Sequence, residues 1–177
     1  MKKYILLILC LVSGIAWSNN MECYNSLDKL KAVSAVMGRV SKRIAETYHI
    51  SPAASGGEMM YEIKSIFLAF EVDRSLTIQE AQDLVVGALQ IELEEINRDE
   101  KIRKYLAEYP YSPHRVEFSF YVNDEPPQIT SVSYLRGLIR YKVHEGDTVN
   151  DIKVLRVDNI DDVLRERGID PSKIGTS

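Results

Sequence analysis

Two hydrophobic periods alternate along the chain. From Leu27 to Ile44 the apolar residues Leu27, Leu30, Val33, Val36, Met37, Val40 and Ile44 recur mostly at spacings of three and four, which marks a helix with one apolar face. Lys29, Lys31, Arg39, Lys42 and Arg43 occupy much of the rest. Asn25-Ser26 suits the cap, and the predicted helix runs to about Tyr48. Its stripe lacks aromatic residues, so it belongs on a core rather than on a membrane surface. "HISPAASGGEM" then predicts a break, because Pro52, Gly56 and Gly57 disfavour regular structure.

The period next shifts to two. In "MYEIKSIFLAFEVD", Ile66, Leu68, Phe70 and Val72 alternate toward one side, with Ile63 and Phe67 on the other. This predicts a strand from about Met60 to Asp73, central because both faces are partly apolar. "TIQEAQDLVVGALQIELEEIN" returns to helical spacing. Thr77 and Glu80 stand as in a capping box, and Gly87 in mid-helix implies close packing on a strand. Asn97 ends this helix, and Asp99 begins a short one with Ile102, Tyr105 and Leu106 turned inward.

Two strands are predicted after it. In "RVEFSFYV", Val116, Phe118, Phe120 and Val122 share a face. "SVSYLRGLIRYKVHEG", read as one strand, places Leu135, Ile139, Tyr141 and Val143 together. "NDEPPQI" connects the two as an exposed loop. A weaker strand covers Ile152 to Val157, and a helix capped near Asn159 stops at Gly168. Together these elements predict an α+β fold: a mostly antiparallel sheet with helices packed on one face, in a single domain. The strand–helix–helix–strand–strand portion is similar in order to modules of outer-membrane assembly proteins, a likeness that assigns no function.

The first residues change the picture of where this domain works. Lys2 and Lys3 precede an apolar run from Tyr4 to Ile15, and Ala16-Trp17-Ser18 offers small residues to a signal peptidase. Residues 1–18 are therefore expected to be a cleaved signal peptide and 19–177 the exported domain, periplasmic or secreted. No apolar segment beyond it has spanning length. The whole chain carries 22 basic and 26 acidic residues, net −4. Without Lys2 and Lys3 the balance is 20 − 26 = −6. An acidic chain with no basic run argues against a nucleic-acid partner. Of Cys10 and Cys23 only Cys23 survives processing, so no intrachain disulfide is expected.

Candidate chemistry is sparse. His49, His114 and His144 lack partners at metal-ligand spacing, and no metal or other cofactor is expected. Ser55-Gly56-Gly57 has neither the nucleophile elbow nor a phosphate-loop continuation, so it reads as a hinge. Glu92, Glu94 and Glu95, with Asp99, Glu100, Asp158, Asp161 and Asp162, read as solvated helix faces and helix starts. No catalytic residue is assigned. Tyr109-Pro110-Tyr111-Ser112-Pro113 reads as a corner closing the core, with a ligand-binding loop as the alternative. The remaining candidate is the open face of the sheet. There an unbroken strand would display Tyr134, Arg136, Arg140 and Lys142 beside Tyr121. Tyr and Arg are the side chains interfaces use as anchors; the alternative is an ordinary wet sheet face with cross-strand charge pairs, and a bulge at Gly137 would put Arg140 and Lys142 on the other face from Tyr134 and Arg136. The expectation is a non-catalytic interaction protein of the envelope or host interface, with a protein partner. The alternatives are a secreted hydrolase whose site is assembled from separate loops, and a structural envelope protein.

The pieces "KLKAVSAVMGRVSKRIAETYHI", "SGGEM", "LTIQEAQDLVVGAL", "EINRDEKIRKYLAEYPYSP" and "VEFSFYV" together resemble a family of uncharacterised secreted proteins from intracellular bacteria, chlamydia-like organisms and Legionella relatives. The likeness covers about Lys29 to Val122, with a shorter one in "NIDDVLRERG". It implies export and a single domain, and it carries no activity and no catalytic residue.

Overall fold

The computed structural model describes residues 27–123, 129–145 and 151–175. The expected signal peptide, the Asn25-Ser26 cap, Cys23 and most of "NDEPPQI" lie outside them. Two compact units divide the chain, Met1–Ala35 and Val36–Ser177. In the first, residues 27–35 are helical. The second holds a six-stranded sheet in the order β1-β2-β3-β4-β5-β6. Its strands are β1 (Ser51–Glu58), β2 (Ser65–Val72), β3 (Val116–Val122), β4 (Ser131–Leu135), β5 (Leu138–His144) and β6 (Ile152–Asn159). The pairs are antiparallel except β2 with β3, which run parallel. The crossover between those two carries α2 (Ile78–Arg98) and α3 (Glu100–Arg103). The described part of α1 spans residues 27–48, and α4 (Ile160–Glu166) follows β6. This is the α+β architecture that the alternating periods predict, with the expected β-α-α-β-β order from β2 to β4.

The caps form as their residues dictate. Thr77 Oγ1 accepts from the Glu80 backbone N–H at 3.2 Å, and Glu80 accepts from the Thr77 N–H at 2.8 Å. Two orphan donors are thereby satisfied. Asp99 accepts from the N–H groups of Lys101 and Ile102 and starts α3, and Asn159 starts α4 by accepting from Asp161. Gly168, at φ 71°, follows the end of α4 as expected.

One face of the sheet is the core. Ile66, Leu68, Phe70 and Val72 of β2 stand in register with Val116, Phe118, Phe120 and Val122 of β3, and all are buried. Phe70 stacks on Phe120 with ring centroids 5.6 Å apart. Helix α2 covers this face so closely that residues on several of its sides are buried, among them Leu84, Val85, Val86, Leu89 and Leu93. Residues Arg39 and Arg43 of α1 pair with Glu94, Glu95 and Asp99, while Tyr48 lies over Gly87. The α1 segment from Val36 onward therefore runs antiparallel to α2.

Four expectations need correction. "SPAASGGE" is not a break but the edge strand β1. Pro52 is tolerated at a sheet edge, and the register shifts beside it, between Pro52 and Ala54. Gly87 gives room to the Tyr48 hydroxyl on a neighbouring helix, not to a strand. Glu92 is not solvated; it is fully buried. Finally, Ser131 to His144 is a hairpin, not one strand. Arg136 and Gly137, at φ 50° and 80°, turn the chain between β4 and β5, as a two-residue turn with both central residues at positive φ requires.

Candidate functional site

The hairpin decides where the predicted anchors go. With β4 and β5 antiparallel, Tyr134 faces Ile139 and Val132 faces Tyr141. All four are buried on the core side. Tyr134 therefore does not belong to the open face: its ring packs 6.3 Å from Phe118, and its hydroxyl donates to the Pro113 carbonyl at 2.9 Å. Burial pushes its phenol well above the usual range. Arg136 sits in the turn rather than on the strand. Tyr121, Arg140 and Lys142 do stand on the other face, helix-free among the described residues of the second unit, and the structure makes it from other neighbours than the sequence suggests.

Register aligns that face into rows across the strands. One row is Tyr121, Ser131, Lys142 and Val154; the next is Ser119, Ser133, Arg140 and Val157. Beyond the second, Glu117, Leu135, Leu138 and Asn159 form a third. Neighbouring strands lie about 4.8 Å apart, so each row spans roughly 15 Å. Ser119, Ser131 and Ser133 make a low floor of hydroxyls. Arg140 and Lys142 are consecutive on one face of β5 and rise beside it. Tyr121, 47% exposed, bounds one side, and the apolar side chains of β6 bound the other. None of these Ser, Arg, Lys and Tyr side chains forms a hydrogen bond or ion pair among the described residues. By contrast Arg39, Arg43, Lys64, Arg74, Arg115 and Arg156 all hold carboxylates. From β3 to β6 the two polar rows hold no acidic side chain; β2 continues the first row with the exposed Glu71, opposite Tyr121, and Glu117 lies in the third.

Sequence reasoning missed the serines. Their signal was present in the alternation of β3 and β4, where Ser119, Ser131 and Ser133 take the positions between apolar core residues. It became readable only with the pairing of the strands.

The Tyr-Pro corner is elsewhere. Tyr111 is buried and donates to the Arg115 carbonyl at 3.1 Å, and Asn97 Oδ1 accepts from the Tyr111 N–H at 2.7 Å. Tyr109 is half exposed, with the Arg103 guanidinium 4.3 Å above its ring. So Tyr111 closes the core and Tyr109 caps it from outside. A cleft of about 360 Å³ opens beside the corner, lined among others by Tyr111, Pro113, His114, Asp161 and Ile174. Ser112 on its wall is engaged as the cap of the following turn, accepting from the His114 N–H. Among the described residues no group of three or more His, Cys, Asp or Glu stands together as a metal site.

Among the described residues no helix is long and apolar enough to cross a membrane. No protein-family model, curated protein or solved structure matches the chain.

Proposed function

We propose that the protein is an exported, non-catalytic binding protein of the cell envelope or host interface, and that its partner lays an acidic protein segment across the helix-free face. One observation carries this reading: the adjoining hydroxyls and cations of Ser119, Ser131, Ser133, Arg140 and Lys142 hold no partner among the described residues. Hydroxyl and guanidinium groups side by side donate to carboxylates, and Arg contributes planar, paired donors. Tyr121 adds an aromatic contact at the rim of the same face. The protein as a whole is acidic, so the local cationic rows select for orientation as well as for charge.

The test is a charge reversal with a matched control. Arg140→Glu with Lys142→Glu leaves the fold intact, since neither side chain reaches the core. It abolishes capture of the partner from envelope or infected-cell material. Lys31→Glu with Lys101→Glu changes net charge equally and retains capture. Capture by wild type weakens as salt rises. Equal capture by both double variants would refute the reading.

A further inference from the structure

The two edges of the sheet differ. β1 carries Pro52, Gly56 and Gly57 and no large apolar side chain, which is how exposed edges are usually blunted. β6 has no strand on its outer side among the described residues. Its apolar side chains are uncovered: Ile152, Val154, Leu155 and Val157 are 52%, 46%, 52% and 49% exposed. Four exposed apolar side chains make this edge a template for another strand, and the bulge and charges that it also carries restrict which strand can fit.

The register of β6 narrows the choice of that strand. Tyr141 faces Arg156 and Lys142 faces Val154, so Leu155 is an extra residue that β5 leaves unmatched. The extra residue reverses the alternation. Val154 and Val157, three apart, therefore both stand on the helix-free face, opposite Lys142 and Arg140. Cross-strand partners in an antiparallel pair must share a face. A second β6, run antiparallel about a two-fold axis between Leu155 and Arg156, meets that condition at every position. Ile152 meets Asn159, Lys153 meets Asp158, Val154 meets Val157 and Leu155 meets Arg156. An unbulged strand would leave Leu155 unmatched, as β5 does. Charge does not oppose this register: Lys153, held by Glu145 of its own chain, falls opposite Asp158, whose carboxylate accepts from Arg156, Gln82 and Tyr141 of its own chain. A shift of two residues to either side removes that pairing; in one direction it sets Lys153 against Arg156.

We propose that β6 is a self-association edge, where two copies of this chain join into one continuous sheet with Val154 of each opposite Val157 of the other. The contact is isologous, and each Lys153–Asp158 pairing occurs twice by symmetry. It lies at the β6 end of the Lys142 and Arg140 rows, which finish on Val154 and Val157, and its test reads dimerisation rather than partner capture, so the two proposals fail separately.

The register is tested by cross-linking. In a chain with Cys10→Ser and Cys23→Ser, the double variant Val154→Cys/Val157→Cys forms a disulfide-linked dimer under mild oxidation. Directly opposite Cα atoms lie about 4.5–5.5 Å apart, within disulfide reach. Either single variant remains monomeric on a non-reducing gel. Sedimentation of the wild type shows a dimer at micromolar concentration. Exchanging Glu145→Lys with Lys153→Glu keeps the intrachain pair now seen at 2.6 Å but opposes like charges across the axis. It weakens the dimer tenfold or more while leaving the circular-dichroism spectrum unchanged. A wild type that stays monomeric at 100-fold that concentration overturns the proposal. So does a dimer that neither cross-links in the double variant nor responds to the charge exchange.

Discussion

Glu92 combines full burial with two carboxylate oxygens that find no hydrogen-bond partner among the described residues. It lies within electrostatic reach of the Tyr111 and Tyr134 phenols, yet both hydroxyls donate to backbone carbonyls instead. Burial pushes its carboxyl well above the usual range near 4.5. The consequence for stability has a definite sign. Below that range folded and unfolded chains both hold the proton. As pH rises the unfolded chain releases it first, so stability falls until the folded carboxyl also ionises. Asp158 works in the opposite sense. Burial alone would raise it, but bonds from Arg156, Gln82 and Tyr141 outweigh burial and lower it. Its contribution is present at neutral pH and is lost in acid. Glu92→Leu is therefore expected to stabilise the protein at pH 7 by ~1–3 kcal/mol, the cost of an unmade buried bond. It also flattens the decline that begins as pH rises above the usual range near 4.5. Urea unfolding along that rise in pH checks both, and an unchanged slope would show that Glu92 does not titrate there.

At the scale of elements, the β4–β5 hairpin matters most, because it sends Tyr134 inward and sets Arg140 beside Ser133. Its turn holds an arginine at φ 50°, where Asn or Gly is far better suited. Arg136→Asn should raise stability by ~0.5–1 kcal/mol, since the favoured turn pair is Asn-Gly. It should leave partner capture unchanged, because Arg136 stands off the cationic rows. Thermal unfolding and the capture assay read the two outcomes separately. Lost capture with unchanged melting would return Arg136 to the binding surface. The ion pairs between α1 and α2 deserve less weight. Arg39 and Arg43 are nearly half exposed, and such pairs contribute ~0–1 kcal/mol each.

At the largest scale, the described helices of the second unit lie on one side of its sheet and leave the other side to present the hydroxyl and cation rows. The exposed edge of β6 provides a second surface at right angles to it. A protein that works by these surfaces would need delivery to its partner, and we propose residues 1–18 as the cleaved export signal. Protein recovered from outside the cytoplasm should begin at or near Asn19, as N-terminal sequencing would show. Recovery with Met1 retained would contradict cleaved export.

The sequence by itself determined the elements whose signals are local. The Thr77–Glu80 box, the Asp99 and Asn159 caps, and the alternation in β2 and β3 each reside within a few neighbouring residues. Apolar period also sufficed for the fold class. Three features waited for the tertiary structure because each depends on what a distant segment supplies. "SPAASGGE" is a poor strand alone and becomes one through the hydrogen bonds that β2 offers. Glu92 looks like Glu94 and Glu95 in sequence, yet the sheet and the neighbouring helices bury it while Arg39 and Arg43 hold the other two at the surface. The candidate site was half legible: Tyr121 and Arg140 were placed on the correct face, while Tyr134 and Arg136 were not. One turn separates these outcomes. In an unbroken strand Tyr134 and Arg140 share a face by parity. Positive φ at Arg136 and Gly137 reverses the chain and pairs Tyr134 with Ile139, so the serines, not the tyrosine, meet the cations.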